Sequence, residues 1–263
     1  MLILDPVNAI TSVSFYRKAA KRTLGRAALY LCYLAVIFSI LGDAALKIRL
    51  GPAINQTFDW LERAAPPLVF SGGKFSSTAP MPVVLRHPDY ADIAVAIDTT
   101  RTTPVTEPEM ESQGVTAYLT QSDFYLRRPN GTVEDRNFSD AKTDKPVTLD
   151  AAFYRSAGAT LNRVLYPVAL IGFFILFMVW KAIASLVYSL LALAIGNLLG
   201  AERRYAELFN ISVYAQTLVI VVQMIFLFMP TRPPFFSLVA FAATGTYLYL
   251  ALRPSAAEPD AAA

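Results

Sequence analysis

An apolar run from Ala27 to Leu46, a long polar stretch, and a second apolar region that opens at Val164 and continues almost to the end set the plan of this chain. The first run has the length of a bilayer-crossing helix, about 20 residues, and is too long for a signal core of about 7–15. No small-x-small cleavage site ends it, so it reads as a signal anchor. Val164 to Leu199 is harder: about 36 residues would make ~54 Å as one helix, against an apolar bilayer core of ~30 Å. A single long helix and a hairpin turning near Trp180-Lys181 both fit that length. No Gly or Pro marks such a turn, and Lys181 reads either as a buried functional cation or, preferred, as an interfacial anchor that snorkels from a continuous helix beside Trp180 near the inner edge. A single crossing also keeps Arg203 and Arg204, in the loop Gly200–Glu207, on the cytoplasmic side, so the long helix is preferred. Leu208–Met229 then returns outward, Pro230–Pro234 turns, and Phe235–Leu252 comes back.

The polar stretch changes period. Gly51-Pro52 reads as a helix interruption, followed by a short amphipathic helix through Ile54, Phe58 and Leu61 that ends at Pro66-Pro67. Short β segments follow at Leu68–Phe70 and Met81–Leu85. Ile93, Val95 and Ile97 alternate, as do Val115, Ala117 and Leu119, and Phe124–Arg127 meets Thr132–Val133 through Asn130-Gly131. Pro104–Gln113, rich in Pro, Thr and Glu, reads as a mobile loop. Helical spacing resumes around Leu149–Thr160 and runs into the second span.

The expected fold is therefore an α-helical multi-span membrane protein of four spans. A small α+β, strand-rich extracytoplasmic domain is inserted between spans one and two. By residue number, 1–26 form a basic interfacial helix, 27–46 span one, 47–160 the extracytoplasmic domain, and 161–199 the long second helix. Residues 200–207 form a cytoplasmic loop, 208–229 and 235–252 the last two spans, and 253–263 a disordered cytoplasmic tail. Both termini are expected in the cytoplasm, with the protein in the cell (inner) membrane.

Composition agrees with lipid. Only 16% of residues are charged and 55% are hydrophobic, whereas soluble domains carry about 25% charged residues. The net charge of +3 is concentrated at Arg17, Lys18, Lys21, Arg22 and Arg26, directly before the first span. With Arg203 and Arg204 these read as topology determinants or contacts to lipid headgroups. They do not read as a nucleic-acid face, since no base-stacking platform accompanies them. Before them, Asp5-Pro6 resembles a helix start, with Ile3, Val7 and Ile10 on one face of a segment lying along the inner surface. The single cysteine, Cys32, and the single histidine, His87, leave no disulfide and no multi-histidine metal cluster.

Several segments are familiar in combination: Phe15-Tyr16-Arg17, Ser71-Gly72-Gly73-Lys74-Phe75 with Pro80-Met81-Pro82, and Ile97-Asp98-Thr99-Thr100. The strongest is Leu199-Gly200 followed by Tyr205-Ala206-Glu207-Leu208-Phe209 and Ser212-Val213-Tyr214-Ala215. In that order they resemble the bacterial membrane family known as domain of unknown function 1189, and the last also resembles the loop-and-span element of Yip-type membrane proteins. The resemblance covers most of the chain and implies an integral membrane protein with an extracytoplasmic domain. It implies no activity. The chain departs from it at Gln216-Thr217, where a proline is expected, which removes the ground for a kinked third span.

Candidate chemistry is sparse. Ser212, Gln216 and Gln223 share a face of the third span, either as a polar track or as interhelical hydrogen bonds worth ~0.6–2 kcal/mol each, and the second reading is preferred. Ser185 and Ser189 with Gly196 mark a small-residue packing face rather than nucleophiles. His87, Asp89, Asp92 and Asp98 have no standard metal-loop spacing and read as turns, and Arg127-Arg128 as a solvated strand edge. Asn55, Asn130 and Asn137 each begin an N-x-[ST] pattern. No catalytic residue, cofactor or metal is expected. The reading is a non-enzymatic anchor, adaptor or sensor, against a small transporter component or permease subunit using the Ser212/Gln216/Gln223 face. Its expected partners are the lipid bilayer, a membrane or periplasmic protein, and a second copy of the chain.

Overall fold

The computed structural model describes residues 2–90, 93–141, 145–231 and 233–253. Asp92, Arg232 within the turn Pro230–Pro234, and the tail from Pro254 lie outside them. The chain divides into two compact units. One joins Met1–Ile48 to Leu165–Ala263, and the other is Arg49–Val164.

The helical unit begins with a short 3-10 turn, Leu2–Leu4, and two short helices, α1 (Asp5–Thr11) and α2 (Ser14–Ala20). The long helix α3 (Leu24–Ala64) contributes its first part here and its last part to the other unit. Helix α5 (Ala151–Leu198) does the reverse; it is one continuous helix of 48 residues, with no hairpin at Trp180-Lys181. Then come α6 (Tyr205–Ala215), α7 (Thr217–Phe226) and α8 (Phe236–Leu252). Three stretches, Leu24–Ala64, Ala151–Leu198 and Tyr205–Phe226, are long and apolar enough to cross a membrane, and α8 is a shorter apolar helix of 17 residues. Aromatic and small residues interlock them. Tyr30 and Tyr214 lie ring to ring at 4.4 Å, and Phe38 and Phe177 at 4.7 Å. A Cβ on Gly42 would stand 3.2 Å from the Phe173 ring, so a glycine lets α3 and α5 approach closely.

Two expectations about helix continuity fail, one in each unit. The N-terminal segment is not one helix. Its α1 and α2 bury Ala9, Phe15, Tyr16, Ala19 and Ala20 against the other helices, while Ile3 and Val7 stay exposed. Nor does Gly51-Pro52 interrupt α3, which carries Pro52 inside it. Proline removes one ladder hydrogen bond. In the second unit α3 is held against α5 after that loss: Asn162 Nδ2 donates to Asn55 Oδ1 at 2.8 Å, Phe58 packs on Gly158, and Glu62 pairs with Arg155.

The second unit, between the first and second long apolar helices, carries two small sheets. Strands β1 (Leu68–Ser71), β2 (Lys74–Ser76) and β8 (Val147–Leu149) form an antiparallel sheet ordered β2-β1-β8. The Ser71–Phe75 motif is its hairpin. Gly72 and Gly73 both take positive φ, and a Cβ on Gly73 would lie 2.6 Å from the Ser139 carbonyl oxygen, so only glycine fits there. The second sheet runs β3 (Val83–Arg86), β4 (Ala94–Ile97), β5 (Ala117–Leu119), β6 (Asp123–Arg127) and β7 (Val133–Asn137). Its β4–β5 pair is parallel and the others antiparallel. A parallel pair needs a crossover, and the segment read as a mobile loop provides it: Glu107–Gln113 is helix α4. Met110 is fully buried there with Ala94, Ala96 and Tyr118, while Ile97 on the opposite face of β4 packs with Trp60, Leu68 and Leu85.

Candidate functional site

The third long stretch does contain a break. Helix α6 ends at Ala215 and α7 starts at Thr217, with Gln216 as a turn between them. Side chains replace the weakened ladder. Gln216 Nε2 donates to the Ser212 carbonyl at 3.2 Å, and Thr217 Oγ1 to the Tyr214 carbonyl at 2.6 Å. Buried irregular backbone is tolerated when its polar groups find partners in this way, so no proline is required for the interruption.

From Gln216 a polar seam crosses to α5. Gln216 Nε2 also donates to Ser185 Oγ at 2.8 Å, Ser185 Oγ donates to the Lys181 carbonyl, and Lys181 Nζ donates to Gln223 Oε1 at 2.8 Å. Ser189 bonds Tyr205 further along the same face. The structure thus brings Gln216 and Gln223 together through α5. Ser212 contributes its carbonyl, while its buried hydroxyl finds no partner among the described residues.

Lys181 is the residue the sequence reading misplaces. It is 5% exposed, while its neighbour Trp180 is 67% exposed, so the tryptophan points out and the lysine in. Nor does it sit at the end bearing Arg203 and Arg204. It lines a cavity with Phe226, Leu227 and Phe236, where α7 turns into α8. The helical spacing 181, 185, 189 was the available signal, since the two serines already marked the inward face. Asp43 on α3 is a second ionisable group in the apolar stretch, with one buried carboxylate oxygen unpartnered.

The basic entry divides. Arg17, Lys18, Lys21 and Arg26 are exposed, as are Arg203 and Arg204, and Arg203 pairs with Glu207 at 3.4 Å. Arg22 turns inward. Its guanidinium meets Asp5 at 2.5 Å and the Tyr214 hydroxyl at 2.8 Å, and lies 5.0 Å from the centre of the Phe15 ring. Helix α1 does start at Asp5-Pro6, but Asp5 makes no cap; it is 4% exposed and serves as the counter-charge of Arg22. Its hydrogen bond holds the Arg22 guanidinium even further toward the charged form. Asn210 Nδ2 donates to the Arg22 carbonyl, which seats this corner on α6.

In the Arg49–Val164 unit, His87 is 4% exposed between the Trp60 and Tyr90 rings. Its Nδ1 accepts the backbone N–H groups of Asp89 and Tyr90, both at 3.1 Å, which puts the ring proton on Nε2. A neutral ring so committed has no lone pair left for a metal. Among the described residues no group of three or more His, Cys, Asp or Glu side chains is placed to hold one. Asp98 Oδ1 accepts both the N–H and the hydroxyl of Thr100, a turn as the sequence suggests. Arg127 faces Glu111 at 3.8 Å, and Arg128 bonds Glu134 at 2.7 Å across the hairpin.

No curated protein and no solved structure matches this chain. A family model does, over residues 7–252, a range that takes in both units, the paired glycines of the β1–β2 hairpin and the broken α6–α7 stretch: the chain belongs to the family described as Protein of unknown function (DUF1189).

Proposed function

We propose that this is a multi-pass protein of a bacterial inner membrane and a non-enzymatic anchor, adaptor or sensor. In this reading α8, at ~26 Å by its 17 residues, is a fourth and short span. The ends of the chain lie in the cytoplasm and the Arg49–Val164 unit outside. The exposed basic residues support the orientation. Arg17, Lys18, Lys21 and Arg26 flank Arg22, whose carbonyl is bonded by α6, the helix that Arg203 and Arg204 precede; both clusters thus gather at one end of the helical unit. The Yip-type likeness of the α6 element is consistent with it. The observation that carries the adaptor reading is the self-contained α+β unit, with its own two cores, held at both ends by long apolar helices.

Co-purification from native membranes under mild crosslinking tests it, with a chain lacking residues 66–160 as control. A specific protein partner that disappears with the deletion supports recognition by the α+β unit. Recovery of the chain alone in both cases defeats it.

A second reading, a small transporter component, is favoured by the Gln216 break and the buried Lys181, since interrupted helices and intramembrane ionisable groups mark transport pathways. Under it Gln216→Leu and Gln223→Leu abolish flux in a folded protein. If they are only structural, each lowers thermal stability by ~0.6–2 kcal/mol instead.

A further inference from the structure

Lys181 is a buried cation with too few partners. Its ammonium has three donors. One goes to Gln223 Oε1, and the face of the Phe177 ring lies 5.9 Å away. Among the described residues it makes no ion pair. A cation buried without a counter-charge is among the costliest arrangements a protein interior can hold. Gln223 keeps its Nε2 donors as well, since its carbonyl faces the lysine.

Beside this pair is a cavity of about 560 Å³, walled by Phe38, Phe226 and Phe236. Its rim is Trp180 and Phe235, 67% and 80% exposed, so the opening is on an apolar outer surface. Phe235 holds a left-handed backbone, φ 59°, which non-glycine residues rarely adopt and which is found chiefly at functional or tightly determined positions.

The geometry points to a binding site for an anionic amphiphile: an acid group on Lys181 Nζ and the Gln223 amide, with an acyl chain along the aromatic walls and out past Trp180. Charge complementarity selects the head, and the apolar walls and rim select the tail. The site lies wholly in the helical unit and does not depend on the adaptor reading.

The test uses the full chain, purified and exchanged into lipid-free detergent. Native mass spectrometry then follows binding of phosphatidylglycerol, of phosphatidylcholine with the same acyl chains, and of oleate, each alone. We expect one equivalent of phosphatidylglycerol or oleate to be retained roughly ten-fold or more over phosphatidylcholine, as one charge-assisted hydrogen bond would give. Phosphatidylglycerol identifies a bilayer lipid as the source, and oleate alone a free fatty acid. Lys181→Met abolishes the preference. Ser237→Trp, at an exposed position of the cavity lining, lowers occupancy with the lysine in place. Equal retention of phosphatidylcholine, a preference that survives Lys181→Met, or an occupancy that Ser237→Trp leaves unchanged overturns the site.

Discussion

Among the described residues of the helical unit two cations turn inward, and their surroundings differ. Arg22 has a carboxylate, a tyrosine hydroxyl and the face of an aromatic ring, all from different elements. Lys181, near the α7–α8 turn, has one amide oxygen and a cavity. A matched charge stitches elements together; an unmatched one, with no counter-charge among the described residues, leaves its interaction open to a ligand. Both arise from the same kind of sequence signal, a basic residue near an apolar run.

Removing one partner breaks that comparison most directly. Asp5→Ala leaves Arg22 without its counter-charge and is expected to destabilise the helical unit by about 3 kcal/mol, near the low end for a broken buried pair because Arg22 retains 20% side-chain exposure. Thermal melting in detergent measures it, and an unchanged melting temperature would show the pair to be incidental. Lys181→Met should go the other way. In lipid-free detergent it removes an unmatched buried charge and is expected to be neutral or stabilising by ~1–2 kcal/mol. A loss of that size would mean that Lys181 is as well matched as Arg22.

The smallest effect belongs to the ion pair between Arg101 and Glu109, which ties α4 of the other unit to the loop after β4 and sets a surface reference. Hydrogen bonding to Arg101 is the main influence holding the Glu109 carboxyl below its usual range. The pair's contribution is therefore present above the unfolded value of about 4.3 and is lost as pH falls through the lower folded value. Glu109→Gln should cost ~0.5–1 kcal/mol at neutral pH and nothing once the wild-type carboxyl is protonated. Denaturant midpoints for both proteins, followed as the pH is lowered from 7, check this; a cost that does not shrink with falling pH would exclude the charge as its origin.

Hydrophobic period made the long helices and most strands legible, because burial in helices and sheets leaves different spacings. For Lys181 the period did carry a signal, since its spacing to Ser185 and Ser189 places it on the inward face, but its partner Gln223 lies far along the chain and no local pattern points to it. Asp5 was hidden by a local motif: Asp-Pro suggests a helix start, and only the fold reveals Arg22 across from it. Helix α4 is a different failure. Proline and acidic residues in its first turn and Gly114 in the left-handed conformation after it are ordinary helix-end signals, outweighed in the reading by loop-like composition. Pro52 was over-weighted, because contacts with α5 after it hold the helix through the missing bond.

The Tyr247 hydroxyl donates to the carbonyl of Ile10 at 3.0 Å, so the last helix satisfies the backbone of the first. On a chain made from its N-terminus, that carbonyl has no such partner until residue 247 has been synthesised. Helix α1 can therefore complete its native contacts only late in biogenesis, after the helices it must settle among have been synthesised.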